Sequence, residues 1–101
     1  MAKKKRKPIT DAQVERFGIF VEECGEALQI VGKIQRHGLL NRNPTIEKAQ
    51  TNRRMLEKEI GHILNSIKLL IEAGDVREEV ILKAAAAKAE TIEPWLYYTK
   101  E

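Results

Sequence analysis

The sequence predicts an all-α fold: a small helical bundle built on two long antiparallel helices and a C-terminal helix. Three observations lead there. Apolar residues recur at three- and four-residue spacings over long stretches, the period of a helix with one face against a neighbour. Leu, Ile and Ala abound while only two Phe, two Tyr and one Trp occur, a balance that suits packed helices better than a β-sandwich. Pro8, Pro44 and Pro94, with Gly38 and Gly74, punctuate the chain between the periodic stretches.

The chain of 101 residues, 43% hydrophobic and 33% charged, fits one globular domain, expected over residues 9–101. Residues 1–8 form a basic stretch ended by Pro8, expected to be a disordered, solubilising tail. A nuclear-import signal or a nucleic-acid arm are its other readings. Without its five Lys/Arg the chain has 13 basic against 15 acidic residues, so the net charge of +3 belongs to the tail. The body offers no basic nucleic-acid surface, and nucleic acid is not an expected partner.

The first helix is expected to start after Thr10 or Asp11, either of which can cap it, and to run to about His37. Gly38 then serves as C-cap, and His37 interacts with the helix dipole instead of acting as a ligand. Phe17, Phe20, Val21, Cys24, Leu28 and Val31 form one apolar stripe of this helix. Ile19, Ile30 and Ile34 form a second, so the helix is expected to lie between neighbours.

Residues 38–45 read as a loop punctuated by Asn43-Pro44, with Thr45 able to cap the next helix, which begins at Ile46 or only after Asn52. From Met55 the stripe Leu56, Ile60, Ile63, Leu64, Ile67, Leu70 and Ile71 defines a second core helix, ended by Gly74. Asp75 can cap a third helix through Val76, Val80, Ile81 and the run Ala84 to Ala87, whose small residues permit a close approach at a dimer seam. Pro94 breaks that helix before Trp95-Leu96-Tyr97-Tyr98, an aromatic closure expected to pack on the bundle or on a partner subunit.

One cysteine makes an internal disulfide impossible, and a reducing, cytoplasmic setting is expected. No apolar run approaches the ~20 residues of a membrane span, and the basic start is followed by polar residues, not by the apolar core of a secretory signal.

The chemistry-bearing stretch is Glu22-Glu23-Cys24-Gly25-Glu26, read with Glu59-Ile60-Gly61-His62. At roughly 3.6 residues per turn, Glu26 lies over both Glu22 and Glu23. Glu23 and Glu26 also fall within the second apolar stripe, where carboxylates lose part of their hydration. Desolvated like charges raise their pKa or gather a cation, and hard divalent ions prefer oxygen ligands. A solvated acidic face is the other reading of these glutamates. Glu59 sits at the edge of the second helix's stripe, with His62 on the same flank. Lys33, two turns beyond Glu26 on one face, can meet a phosphate or pair with a carboxylate.

Glu22-Glu23-Cys24-Gly25-Glu26 resembles the E-E-x-x-E motif of the MazG-like, all-α nucleoside triphosphate pyrophosphohydrolases, and Leu56 to His62 resembles their E-x-x-D segment. The resemblance runs from about Val14 to Ile71 and looks closest to the phage-type members around Gly32 to Arg36. It implies that Glu23, Glu26 and Glu59 hold Mg²⁺ or Mn²⁺ against the triphosphate, with Glu22 as the base for the attacking water or a supporting group. It implies hydrolysis at the α-phosphorus to a nucleoside monophosphate and pyrophosphate. Lys33, Arg53, Arg54 and Lys83 are candidate cations for the phosphates, and Asn65 a polar contact or a buried capping amide. It further implies a homodimer or homotetramer.

His62 stands where the family has Asp. Imidazole binds Mn²⁺, Co²⁺, Ni²⁺ or Zn²⁺ in preference to Mg²⁺ and removes one negative charge. Three expectations result: an enzyme with a shifted metal preference, a slow enzyme, or a catalytically impaired helical oligomer that binds nucleotide or a protein partner.

Overall fold

The computed structural model describes residues 6–99; residues 1–5 of the expected basic tail lie outside them. Three helices follow in order: α1 (Asp11–His37), α2 (Asn52–Glu72) and α3 (Glu78–Thr91), the last continued by a 3-10 turn at Glu93–Trp95. Among the described residues the only extended pairing is an isolated bridge between Arg42 and Thr51. No helix of the described residues is long and apolar enough to cross a membrane.

Local chemistry fixes the ends of α1. Thr10 accepts from the Gln13 amide at 3.1 Å while the Gln13 side chain accepts from the Thr10 amide at 2.8 Å, a reciprocal cap. At the other end Gly38 takes φ 95, a region open to glycine, and its amide donates to Ile34. Helix α2 starts later than Thr45: Thr51 caps it by accepting from Arg54 at 3.2 Å. Thr45 instead donates its hydroxyl to Asn43 within the loop.

The two long helices run antiparallel, tied at both ends. At one end Arg16 binds the Asp75 carboxylate through Nε and Nη2, and Gln13 donates to the same carboxylate at 3.1 Å. Asp75 therefore does not cap the third helix; Arg77 takes that position without a side-chain hydrogen bond. The hydrogen bonding of Arg16, helped by Gln13, holds the Asp75 carboxyl below its ordinary range against the effect of burial. At the other end the buried Asn52 amide donates to the Gly38 carbonyl at 2.9 Å.

The packed zone between α1 and α2 is narrow. Ile30 and Leu70 are its buried apolar side chains, joined by the polar residues Asn52, Glu59 and Ser66. The predicted stripes therefore divide. Ile63, Ile67 and Leu70 face α1, whereas Ile60 and Leu64 point to solvent, as do Val21 and Leu28 on α1. Helix α3 packs little on the hairpin. Trp95, Tyr97 and Tyr98 are exposed and do not close the bundle of their own chain. The radius of gyration is 18.5 Å, against about 13 Å for a compact domain of this length.

Candidate metal centre

Glu23 and Glu26 are three apart on α1, Glu59 and His62 three apart on α2, so each pair lies on one face of its helix. The antiparallel hairpin turns these faces toward each other at mid-length. One ligand atom from each of the four residues lies within 4.8 Å of all the others. Glu59 is the most enclosed, only 4% exposed, while the His62 side chain keeps 47% of its surface in contact with solvent.

The cluster has too few donors for its acceptors. His62 Nδ1 lies 3.3 and 3.2 Å from the two Glu59 oxygens. It is also 3.2 Å from Glu23 Oε2, but out of line for a hydrogen bond. That buried oxygen has no hydrogen-bond partner. The Glu59 carboxyl is accordingly raised from 4.5 to about 7 by its contact with Glu26, by burial and by Glu23, against the opposing pull of His62.

The dimensions and donors fit a divalent ion. Ligands on opposite sides of an ion are separated by twice the bond length, about 4.2 Å for Mg²⁺ and nearer 5 Å for Ca²⁺. The 4.8 Å spread lies in that range. Three carboxylates with one imidazole form a mixed oxygen and nitrogen set, which suits Mn²⁺ better than Mg²⁺.

Beside the cluster opens a cleft of about 740 Å³, with Glu26, Glu59 and His62 on its wall. Lys33, Arg36, Arg42 and Lys58 also line it, together with His37 and the loop around Pro44 and Ile46. The cleft thus sets four Lys/Arg side chains beside an acidic centre.

The structure brings Glu23, Glu26, Glu59 and His62 together and sets Lys33 in the same cleft. It leaves five expected residues outside. Glu22 is exposed, because the face of α1 turned to α2 carries Glu23 and Glu26 instead. Arg53 and Arg54 are exposed, turned about 100° and 200° around α2 from Asn52, and neither lines the cleft. Asn65 is exposed, not a buried capping amide, and lies past the cleft's edge. Lys83 is on α3, which starts beyond the C-terminal end of α2, while the cleft lies against the N-terminal half of α2.

Lys58, Arg36 and Arg42 are cleft cations that neither periodicity nor motif singled out. Arg36 lies three residues beyond Lys33 on the same face, a signal open to inspection. Arg42 carried none: its guanidinium reaches the Ala49 carbonyl at 2.8 Å through a loop fold that no periodicity announces.

No family model matches the chain, and neither a curated protein nor a solved structure does so.

Proposed function

We propose that the chain is a divalent-metal-dependent nucleoside triphosphate pyrophosphohydrolase, converting a ribo- or deoxynucleoside triphosphate and water to the monophosphate and pyrophosphate. The observation that carries this reading is the convergence of Glu23, Glu26, Glu59 and His62 within 4.8 Å beside a cleft lined by four Lys/Arg side chains. The order of the two acidic segments, similar to that of the MazG-like family, supports the choice of reaction.

Glu23, Glu26, Glu59 and His62 would hold Mn²⁺ or Mg²⁺. When bound, the ion supplies charge neutralisation and Lewis-acid polarisation for the phosphates and the attacking water. The chain's own residues do the rest. Lys33, Arg36 and Lys58 offset the charge of the triphosphate and of the leaving pyrophosphate. The Glu59 carboxyl, raised to about 7 by Glu26, burial and Glu23 in the metal-free chain, would give up its proton when the ion binds. Glu22, exposed on α1, takes no part. The reading goes with a cytoplasmic location and with a homodimer or homotetramer that covers the exposed apolar residues.

A second reading is favoured by the contact of His62 Nδ1 with Glu59 and Glu23. In this reading the imidazole fills the space between the carboxylates in place of an ion, leaving a helical protein that binds nucleotide in the cleft without hydrolysing it.

Pyrophosphate release from a panel of nucleoside triphosphates, each with Mg²⁺ and Mn²⁺, separates the two. The first reading expects release that Glu23→Gln and Glu26→Gln abolish while the helical signal stays. Retained turnover in both variants contradicts it, and silence with nucleotide-dependent thermal stabilisation selects the second.

A further inference from the structure

A second cleft, of about 380 Å³, lies where α3 leaves the hairpin. Its lining is wholly apolar: Phe17 and Phe20 from α1, Ile67 and Leu70 from α2, and Val76 and Ile81 around the start of α3. The same chain exposes Trp95 at 81% with Tyr97 and Tyr98 beyond it. A Trp side chain gains most of its binding energy from burial, so an apolar cleft and an unburied indole form a complementary pair.

The chain cannot join the pair within itself. From Ile81 to Trp95 the arm is mostly helix and spans about 21 Å. Trp95 is thereby held away from the cleft, and its occupant must come from another molecule.

We propose that two copies of the chain exchange C-terminal arms, the Trp95 of each seated in the apolar cleft of the other. The register of α3 supports this. Val80, Ala84, Ala87 and Thr91 succeed one another at four-, three- and four-residue spacings, an uncharged exposed face. Antiparallel pairing of two such faces about their midpoint sets Ala84 opposite Ala87 and Val80 opposite Thr91. The small residues let the helices approach closely. Continued along the arm, this register brings Trp95 opposite Val76, a residue of the cleft. The contact is self-complementary under a two-fold axis, as a dimer of identical chains requires. It also covers α3, which is left largely unsupported in the single chain.

The test is sedimentation equilibrium of the full-length protein combined with the emission of its only tryptophan. The expected result is a dimer with blue-shifted emission protected from acrylamide, mass and emission changing together on dilution. Trp95→Ala and, separately, Ala84→Glu are expected to raise the dimer dissociation constant about thirtyfold or more, the scale of an interface hot spot. Both positions are exposed in the single chain, so the helical circular dichroism of each monomer is retained. A protein that stays monomeric at every concentration overturns the proposal. So does a dimer with a quencher-accessible tryptophan, or one that both substitutions leave intact. None of these readouts depends on metal or nucleotide.

Discussion

Glu23 Oε2 on α1 lies 3.2 Å from His62 Nδ1 on α2, yet this buried oxygen accepts no hydrogen bond. The imidazole is spent on Glu59, whose two oxygens it meets at 3.3 and 3.2 Å. A buried acceptor without a donor is costly, and a cation among the four side chains removes that cost. His62 is then the one nitrogen ligand in an oxygen set.

Exchange of that nitrogen for a carboxylate therefore shifts metal choice. His62→Asp is expected to lower the preference for Mn²⁺ over Mg²⁺ by on the order of tenfold, equal to about 1.4 kcal/mol of differential binding. Competition of the two ions, tracked by the Mn²⁺ paramagnetic signal, measures the ratio; an unchanged ratio removes His62 from the ligand set.

Glu59 gives the metal-free protein an unusual pH dependence. With its carboxyl raised from 4.5 to about 7, the folded chain holds a proton in that window that the unfolded chain has already lost. Stability therefore falls as pH rises through the window. The thermal midpoint of metal-free protein is expected to decline from about pH 5 to about pH 8, and Glu59→Gln to flatten that decline. Excess Mn²⁺ reverses the trend, because the ion binds the deprotonated cluster. Thermal melts across pH, with chelator or with Mn²⁺, check all three outcomes.

Much of this arrangement was legible in the sequence. The ends of α1 were set by Thr10 and Gly38, whose roles are local chemistry. The pairing of Glu23 and Glu26 with Glu59 and His62 was open to periodicity plus a hairpin. What escaped depended on contacts between distant elements. Asp75 looks like a cap until Arg16, 59 residues away, is seen to claim it. Ile60 and Leu64 look like core because period alone does not say which half of a wide stripe has a neighbour. Glu22 was grouped with its neighbours by motif, although one residue along a helix turns a side chain by roughly 100°.

The Arg16–Asp75 clamp joins the N-terminal end of α1 to the end of α2. Asp75→Ala leaves the Arg16 guanidinium and the Gln13 amide without their acceptor. The thermal midpoint is expected to drop by roughly 5 °C, and its acid sensitivity to weaken. The sign comes from the lowered Asp75 pKa: the stabilisation is complete above the ordinary carboxylate range and is lost as pH falls through the folded value.

Asn52 is 6% exposed and donates to the Gly38 carbonyl, holding the loop that walls the cleft beside Glu26 and Glu59. Asn52→Ala is expected to cost about 1–2 kcal/mol in urea unfolding, the penalty for a buried group left unpaired. Asn52→Asp keeps the shape but loses the donor and is expected to be no better.

The cleft cations divide by position. Lys33→Ala and Lys58→Ala are expected to raise KM for a nucleoside triphosphate by about tenfold, the loss of one charged contact. Lys83→Ala and Arg53→Ala, outside the cleft, leave it unchanged. Steady-state kinetics of the four variants checks this.

The most direct measurement of the central claim is calorimetric titration of the metal-free protein with Mn²⁺ near pH 8, beside Glu59→Gln and Glu22→Gln. The account predicts saturable binding at the four-residue cluster, lost in Glu59→Gln and kept in Glu22→Gln, with affinity that falls as the pH is lowered through 7. No saturable binding by the folded native chain, or binding that Glu59→Gln leaves intact, would contradict it.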